Sequence, residues 1–235
     1  AEHAANLFSL SELGNIYTRI MNPTTDVLEQ RITALEGGAA ALAVSSGQTA
    51  TAYAVQNLAR AGDNIVSSTD LYGGTWNLFQ NTLRQQGIEV RFVDPSRPEN
   101  FAEASDERTR AYYAETLPNP KLELFPIAEV VEIGRERGIP LIVDNTAAPI
   151  LTRPFDHGAD IVIHSVTKML AGHSDATLGW AAARTRAHRV GRADDHRAGG
   201  LEAGRNEAGG ACWPSRGHGR ARRGWETGDI FEEVH

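Results

Sequence analysis

The sequence predicts an α/β domain, a mainly parallel sheet covered by helices on both faces. Two observations predict it. Short apolar runs alternate regularly with longer stretches of helical period, and several of the runs end in polar, chemistry-bearing residues. With 235 residues, the chain is long enough to bury one substantial core.

Each element follows from local chemistry. Thr25 can cap a helix whose apolar face is Leu28, Ile32 and Leu35, and Gly37-Gly38 supplies its stop. A short apolar segment over 41–44 ends at Ser45-Ser46-Gly47, and a helix over 49–59 follows. Gly62-Asp63 then turns the chain into the strand Asn64-Ile65-Val66-Ser67. The alternation continues with a helix over 75–86, strands over 88–93 and 111–115, a helix over 127–137 and the strand Leu141-Ile142-Val143-Asp144. A second apolar run ends in Ser165-Val166-Thr167-Lys168, its lysine 24 residues after Asp144. In open sheets of this kind ligands gather at the carboxyl ends of the strands, where Asp144 and Lys168 fall.

Composition narrows the function classes. A formal charge of −7 argues against general affinity for nucleic acid, which needs a basic surface. The single cysteine, Cys212, rules out an internal disulfide framework and fits a reducing compartment. No apolar stretch approaches the roughly 18 residues of a spanning helix, and the N-terminus has no basic flank ahead of an apolar core. The expected location is the cytoplasm, with no membrane partner. The first residue is Ala1 rather than Met, so a natural N-terminus is expected to be missing.

Asp144 and Lys168 suit one cofactor in particular. Pyridoxal 5′-phosphate needs a lysine that holds it covalently and an acid beside its ring nitrogen. Lys168 is one of two lysines, with Lys121, in a chain whose other 21 Lys and Arg cations are all arginine. Arginine cannot supply a deprotonatable amine. The bland alternative is a solvated lysine at a strand end. A carboxylate ending a buried strand is costly unless paired, and a pyridinium nitrogen is a suitable partner for Asp144. An anion should lie where Ser46-Gly47-Gln48 opens a helix, because free N–H groups and the helix dipole converge there. Taken alone, Gly47 also reads as a plain strand-to-helix turn.

Flanking residues carry a family resemblance. Tyr17-Thr18-Arg19, Asn22-Pro23-Thr24, Leu35-Glu36-Gly37-Gly38, Ser46-Gly47-Gln48, Asp70-Leu71-Tyr72-Gly73-Gly74-Thr75, Asn119-Pro120, Val143-Asp144-Asn145-Thr146 and Ser165-Val166-Thr167-Lys168 occur in the order found in the cysteine and methionine metabolism family of pyridoxal phosphate enzymes. The segment from Arg19 to Glu29 most resembles the O-acetylhomoserine sulfhydrylase branch. The match runs from about Gly14 to Gly179. It implies a fold type I pyridoxal phosphate transferase large domain.

The resemblance also assigns roles. Lys168 would hold the cofactor and act as general base, with Tyr72 stacking on the ring and assisting proton movement. The amides of Gly47 and Gln48, with the hydroxyls of Ser165 and Thr167, would bind the phosphate. Asp144 would face the ring nitrogen and Asn119 the ring hydroxyl, although Asn119 also reads as a turn between Pro118 and Pro120. Tyr17 and Arg19 would reach the phosphate held by a neighbouring subunit, which implies a homodimer or homotetramer. The implied reaction is γ-replacement on O-acetylhomoserine by sulfide or a thiol, giving homocysteine or a thioether amino acid. Cystathionine γ-synthase and methionine γ-lyase chemistry share its early steps.

Other motif readings fare worse. Ser165-Val166-Thr167-Lys168 is formally an S-x-x-K, but no K-T-G follows and the serine trails a strand rather than opening a helix. There is no G-x-G-x-x-G or Walker-type loop, and the eight histidines show no H-E-x-x-H spacing. His164 and His173 read as local hydrogen-bonding residues, and no metal is expected.

The organisation expected is an N-terminal arm over 1–24, a cofactor-binding large domain over 25–183 and an irregular tail over 184–235. That tail holds ten arginines between Arg184 and Arg223, and its aliphatic content beyond alanine falls to Val190 and Leu201 over the same stretch. No helix or strand period survives there, so disorder is expected, or translation from a shifted reading frame. The small C-terminal domain that the resemblance implies is then missing or corrupted. The rival reading of the whole is a non-catalytic fragment of such an enzyme.

Overall fold

The computed structural model of the chain describes residues 2–9, 11–12, 14, 16–18, 22–173 and 175–184. The expectations for the tail beyond Arg184 and for Arg19 fall outside these residues.

A first helix, α1 (Glu2–Phe8), lies on the arm expected to be irregular, and none of its side chains is buried. Helix α2 (Pro23–Glu36) begins two residues earlier than its expected cap. The cap is Asn22 rather than Thr25: its Oδ1 accepts the amides of Thr24 and Thr25 at 2.9 and 3.3 Å. Pro23 fits the first turn because its missing N–H would have had no helical partner there. Gly37 ends the helix in the left-handed region at φ 74°, as Gly37-Gly38 led one to expect.

The remaining elements are β1 (Ala40–Val44), α3 (Gly47–Leu58), β2 (Asn64–Ser68), α4 (Gly73–Asn77), β3 (Glu89–Val93), α5 (Glu99–Glu103), β4 (Thr109–Glu115), α6 (Ile127–Arg137), β5 (Leu141–Asp144), β6 (Ile161–Ser165) and β7 (Gly179–Ala183). Helix α4 continues as a π-helical segment, Leu78–Leu83, so the helix expected over 75–86 is present with a change of pitch inside it. A 3-10 turn, Pro154–His157, precedes β6.

These strands form one seven-stranded sheet in the order β1-β7-β6-β5-β4-β2-β3. The pairs β2·β3, β2·β4, β4·β5 and β5·β6 are parallel. Only β7 runs the other way, inserted between β1 and β6. The carboxyl ends of β1, β2, β4, β5 and β6 therefore share one edge with the start of β7.

Alternation along the strands divides the core into two layers, one on each face. On one face Tyr112, Leu141, Val143, Val162 and Trp180 pack with Ile32 of α2 and Val130 of α6. On the other, Ile65, Tyr113, Ile142 and Ile163 pack with Ala50, Ala54, Val55 and Leu58 of α3 and with Phe79 and Leu83. Each large aliphatic side chain buried in this way contributes roughly 1.5–3 kcal/mol. Glu115, Asp144 and Ser165 continue the period of the second face, so they emerge at the sheet edge beside the start of α3.

Candidate active site

Helix α3 opens at the Ser46-Gly47-Gln48 turn, where the phosphate cradle was expected. Ser46 caps α3 through Oγ, which accepts the Thr49 amide at 3.1 Å, and leaves the first amides of a 12-residue helix facing the sheet edge. Gly47 touches the end of β6: a methyl group placed on it would lie 2.7 Å from Ser165 Cβ. Gly179, the first residue of β7, presses on the same turn so closely that an added Cβ would collide with the Ser46 carbonyl and the Gly47 nitrogen. Absent side chains thus let Gly47, Ser165 and Gly179 pack closely at this turn.

The polar side chains around this turn differ in their engagement. Gln48 reaches sideways, its Nε2 donating to Thr75 Oγ1 at 3.1 Å, which links α3 to α4. Thr167 Oγ1 accepts the amide of Leu178 at 3.1 Å, so this hydroxyl ties the Lys168 turn to the start of β7. The Ser165 amide donates to Thr146 Oγ1 at 2.8 Å.

Asp144 ends β5 half-buried, one strand from Ser165. Its Oδ1 accepts both the amide and the hydroxyl of Thr146, the amide at 2.9 Å. Burial raises the Asp144 pKa from its ordinary value, and these hydrogen bonds pull it back. Tyr113 is wholly enclosed, and burial holds its phenol well above the usual range.

Tyr72 sits at the start of α4 with its ring about half exposed and lying over Gly74. Its backbone N–H donates to Glu115 Oε1 at 2.6 Å. Glu115 is buried at the end of β4, register partner of Asp144. Burial first, and the Asp144 charge second, push its pKa up to about 8. Asn119 follows on the loop after β4. Lys168 is exposed on the turn after β6, its amide bonded to the Ser165 carbonyl at 3.2 Å. Tyr17 is exposed, on the arm that precedes α2.

The topology thus brings Gly47, Gln48, Tyr72, Asn119, Asp144, Ser165, Thr167 and Lys168 to one edge of the sheet. A glycine-opened helix N-terminus beside the end of β6, an acid ending a buried strand, an aromatic ring and a lysine form a donor set that fits pyridoxal phosphate. Sequence reasoning missed Glu115, Thr146, Tyr113 and Gly179. Glu115 carried the same signal as Asp144, a carboxylate closing an apolar run. Thr146 stood two residues after an acid, the spacing of a turn in which side chain and backbone meet.

A model of the Cys/Met metabolism PLP-dependent enzyme family matches residues 1–213. The chain belongs to that family. The match extends past Gly179, where the resemblance read from motifs stops. An O-acetyl-L-homoserine sulfhydrylase of Leptospira meyeri is 58% identical over 179 residues, covering 76% of this chain and 40% of the relative. The homocysteine/cysteine synthase of Saccharomyces cerevisiae is 51% identical over 181 residues, covering 76% and 40%. Among solved structures, a Campylobacter jejuni protein provisionally named O-acetylhomoserine (thiol)-lyase superposes with a TM-score of 0.74 at 40% identity, covering 78% of this chain and 46% of the other. That structure holds N′-pyridoxyl-lysine-5′-monophosphate within its chain. The chain spans about 40% of the length of these curated relatives. Fold and family therefore agree on a fold type I pyridoxal phosphate domain.

Among the described residues no helix is long and apolar enough to cross a membrane, and no group of three or more His, Cys, Asp or Glu side chains could hold a metal ion. His164 is instead buried against Glu36, Nε2 to Oε1 at 2.6 Å, on the opposite face of the sheet.

Proposed function

We propose that this chain forms the cofactor-binding part of a pyridoxal phosphate enzyme that replaces the γ-substituent of O-acetylhomoserine with sulfide or a thiol. The observation that carries the reading is the convergence of the α3 N-terminus, Asp144 and Lys168 on one sheet edge, in a chain whose relatives are sulfhydrylases and homocysteine synthases.

The roles follow from position. The amides of Gly47 and Gln48 bind the phosphate, with Ser165 Oγ beside them; Thr167 supports the same turn through Leu178. Asp144 keeps a proton on the ring nitrogen, its own carboxylate oriented by Thr146. Tyr72 covers one ring face, and Asn119 lies near the ring hydroxyl. When bound, the cofactor supplies an electron sink conjugated with the substrate's α-carbon. Lys168 would hold the cofactor and, once free of it, would take the substrate's α-proton. The net reaction would exchange acetate at Cγ for the sulfur nucleophile, with the protons taken from Cα and Cβ returned to them.

We also read the working enzyme as cytoplasmic and homodimeric or homotetrameric, with Tyr17 and Arg19 serving the phosphate of a neighbouring subunit. The exposed apolar residues Leu122, Leu124, Ile150, Leu151 and Met169 follow the carboxyl ends of β4, β5 and β6 and support association at this edge.

The test is covalent capture. Incubation with pyridoxal phosphate, borohydride reduction and peptide mapping should place the label on Lys168, and Lys168→Ala should lose it. A captured cofactor without turnover of O-acetylhomoserine and sulfide would favour the reading of a cofactor-binding, non-catalytic fragment.

A further inference from the structure

Tyr72 and Asn119 lie on separate loops that leave different strands, yet both are needed at fixed heights beside a planar ring. The loop after β2 carries Asp70 and Tyr72, and the loop after β4 carries Asn119 and Lys121. Two contacts join them. Lys121 Nζ binds the buried Asp70 carboxylate at 2.8 and 3.1 Å. Glu115, at the end of β4 from which the second loop leaves, reaches the backbone of the first, accepting Tyr72 N–H at 2.6 Å.

Glu115 is an expensive choice for this place. It is 7% exposed and one strand from Asp144, so its charge would be penalised by burial and by a neighbouring carboxylate. It also lines, with Ser68, Asp70, Pro118 and Phe125, the small cavity behind the two loops. Its backbone-directed hydrogen bond gives that cost a purpose.

We propose that Glu115 is the positioning residue of the site: from the end of β4, where the Asn119 loop leaves, its carboxyl holds the Tyr72 backbone N–H and so fixes the ring-stacking aromatic and that loop in one frame with Asp144. This deepens the cofactor reading above and rests on it for the roles of Tyr72 and Asn119. With its pKa near 8, the carboxyl is mostly protonated at neutral pH. Its carbonyl oxygen then does the accepting, which glutamine can imitate. Aspartate keeps the acid but withdraws it by one methylene, out of reach of the Tyr72 amide.

The experiment compares the full chain with E115Q, E115D and E115A. Amide hydrogen exchange is read in the peptides holding Tyr72 and Asn119, and pyridoxal phosphate is titrated by absorbance. E115A and E115D should speed exchange in both peptides about tenfold, leave β5 and β6 unchanged, and weaken cofactor binding about tenfold. E115Q should stay within about threefold of the parent in both measurements. If E115A does not fold, the contrast between E115D and E115Q decides. Unchanged exchange in E115D, or exchange in E115Q as fast as in E115D, overturns the proposal. Failure of the parent chain to capture the cofactor, with the exchange pattern intact, leaves the Glu115 clamp standing and overturns the cofactor reading instead.

Discussion

At Asp144 the decisive partner is Thr146, which donates twice to Oδ1. The same hydroxyl accepts the Ser165 amide, so one side chain couples the acid to the strand that leads to Lys168. Thr146→Val keeps the shape but strands the Ser165 N–H, and should cost about 1–3 kcal/mol in denaturant unfolding and weaken cofactor binding. Thr146→Ser should restore both. Glu115 gives a pH signature. Its folded pKa is raised from 4.5 to about 8, so between these values the folded state holds a proton that the unfolded chain has released. Stability from this group is therefore greatest at low pH and falls by up to about 1.4 kcal/mol per pH unit across that window. The charged groups around it are Asp144 on β5, and, at the cavity, Glu123 and the Asp70–Lys121 pair. Asp144 and Asp160 are displaced in the same direction by burial, so the slope due to Glu115 is the difference between the parent and E115Q in unfolding measured from pH 5 to 8. Lys168 and Asp144 are legible in the sequence because each closes an apolar run with a group that burial would otherwise penalise. Glu115 closes its run identically, but its partner is a backbone amide, which carries no residue signature.

Among the elements, the parallel strands are legible because each is a short apolar run bounded by turn residues, and their carboxyl ends fix the site edge. Strand β7 is not. Gly179-Trp180-Ala181-Ala182-Ala183 is buried along nearly its whole length, so it lacks the alternation that marks a half-exposed strand. Its pairing with both β1 and β6 depends on contacts far apart in sequence. The cap of α2 was misplaced because Asn22 and Thr25 both suit an N-cap, and Pro23 settles the choice by occupying the first turn. Gly179 is where β7 meets the phosphate turn. Gly179→Ala drives a methyl into the Ser46 carbonyl and the Gly47 nitrogen, both backbone, and should lower stability by about 1–3 kcal/mol and cofactor affinity with it. Gly73→Ala, with nothing within 4 Å of the new carbon, should change the unfolding free energy by less than about 0.5 kcal/mol.

At the scale of the molecule, one antiparallel insertion in a parallel sheet places five strand ends and the start of α3 around a single site. The alternating pattern makes this class of fold readable from the chain, whereas the strand order is set by which hydrophobic faces cover each other. The central claim is that this edge is a pyridoxal phosphate site with Lys168 as its covalent anchor. The chain's economy of lysines makes the claim unusually direct to test. Lys121 is tied to Asp70, whose hydrogen bond raises its pKa and keeps its amine protonated and poorly nucleophilic. The measurement is borohydride reduction of the chain with pyridoxal phosphate, followed by peptide mapping. A single phosphopyridoxyl mass on Lys168, lost in Lys168→Ala, is the result this account predicts. No label, or a label divided between Lys121 and the N-terminal amine, would contradict it.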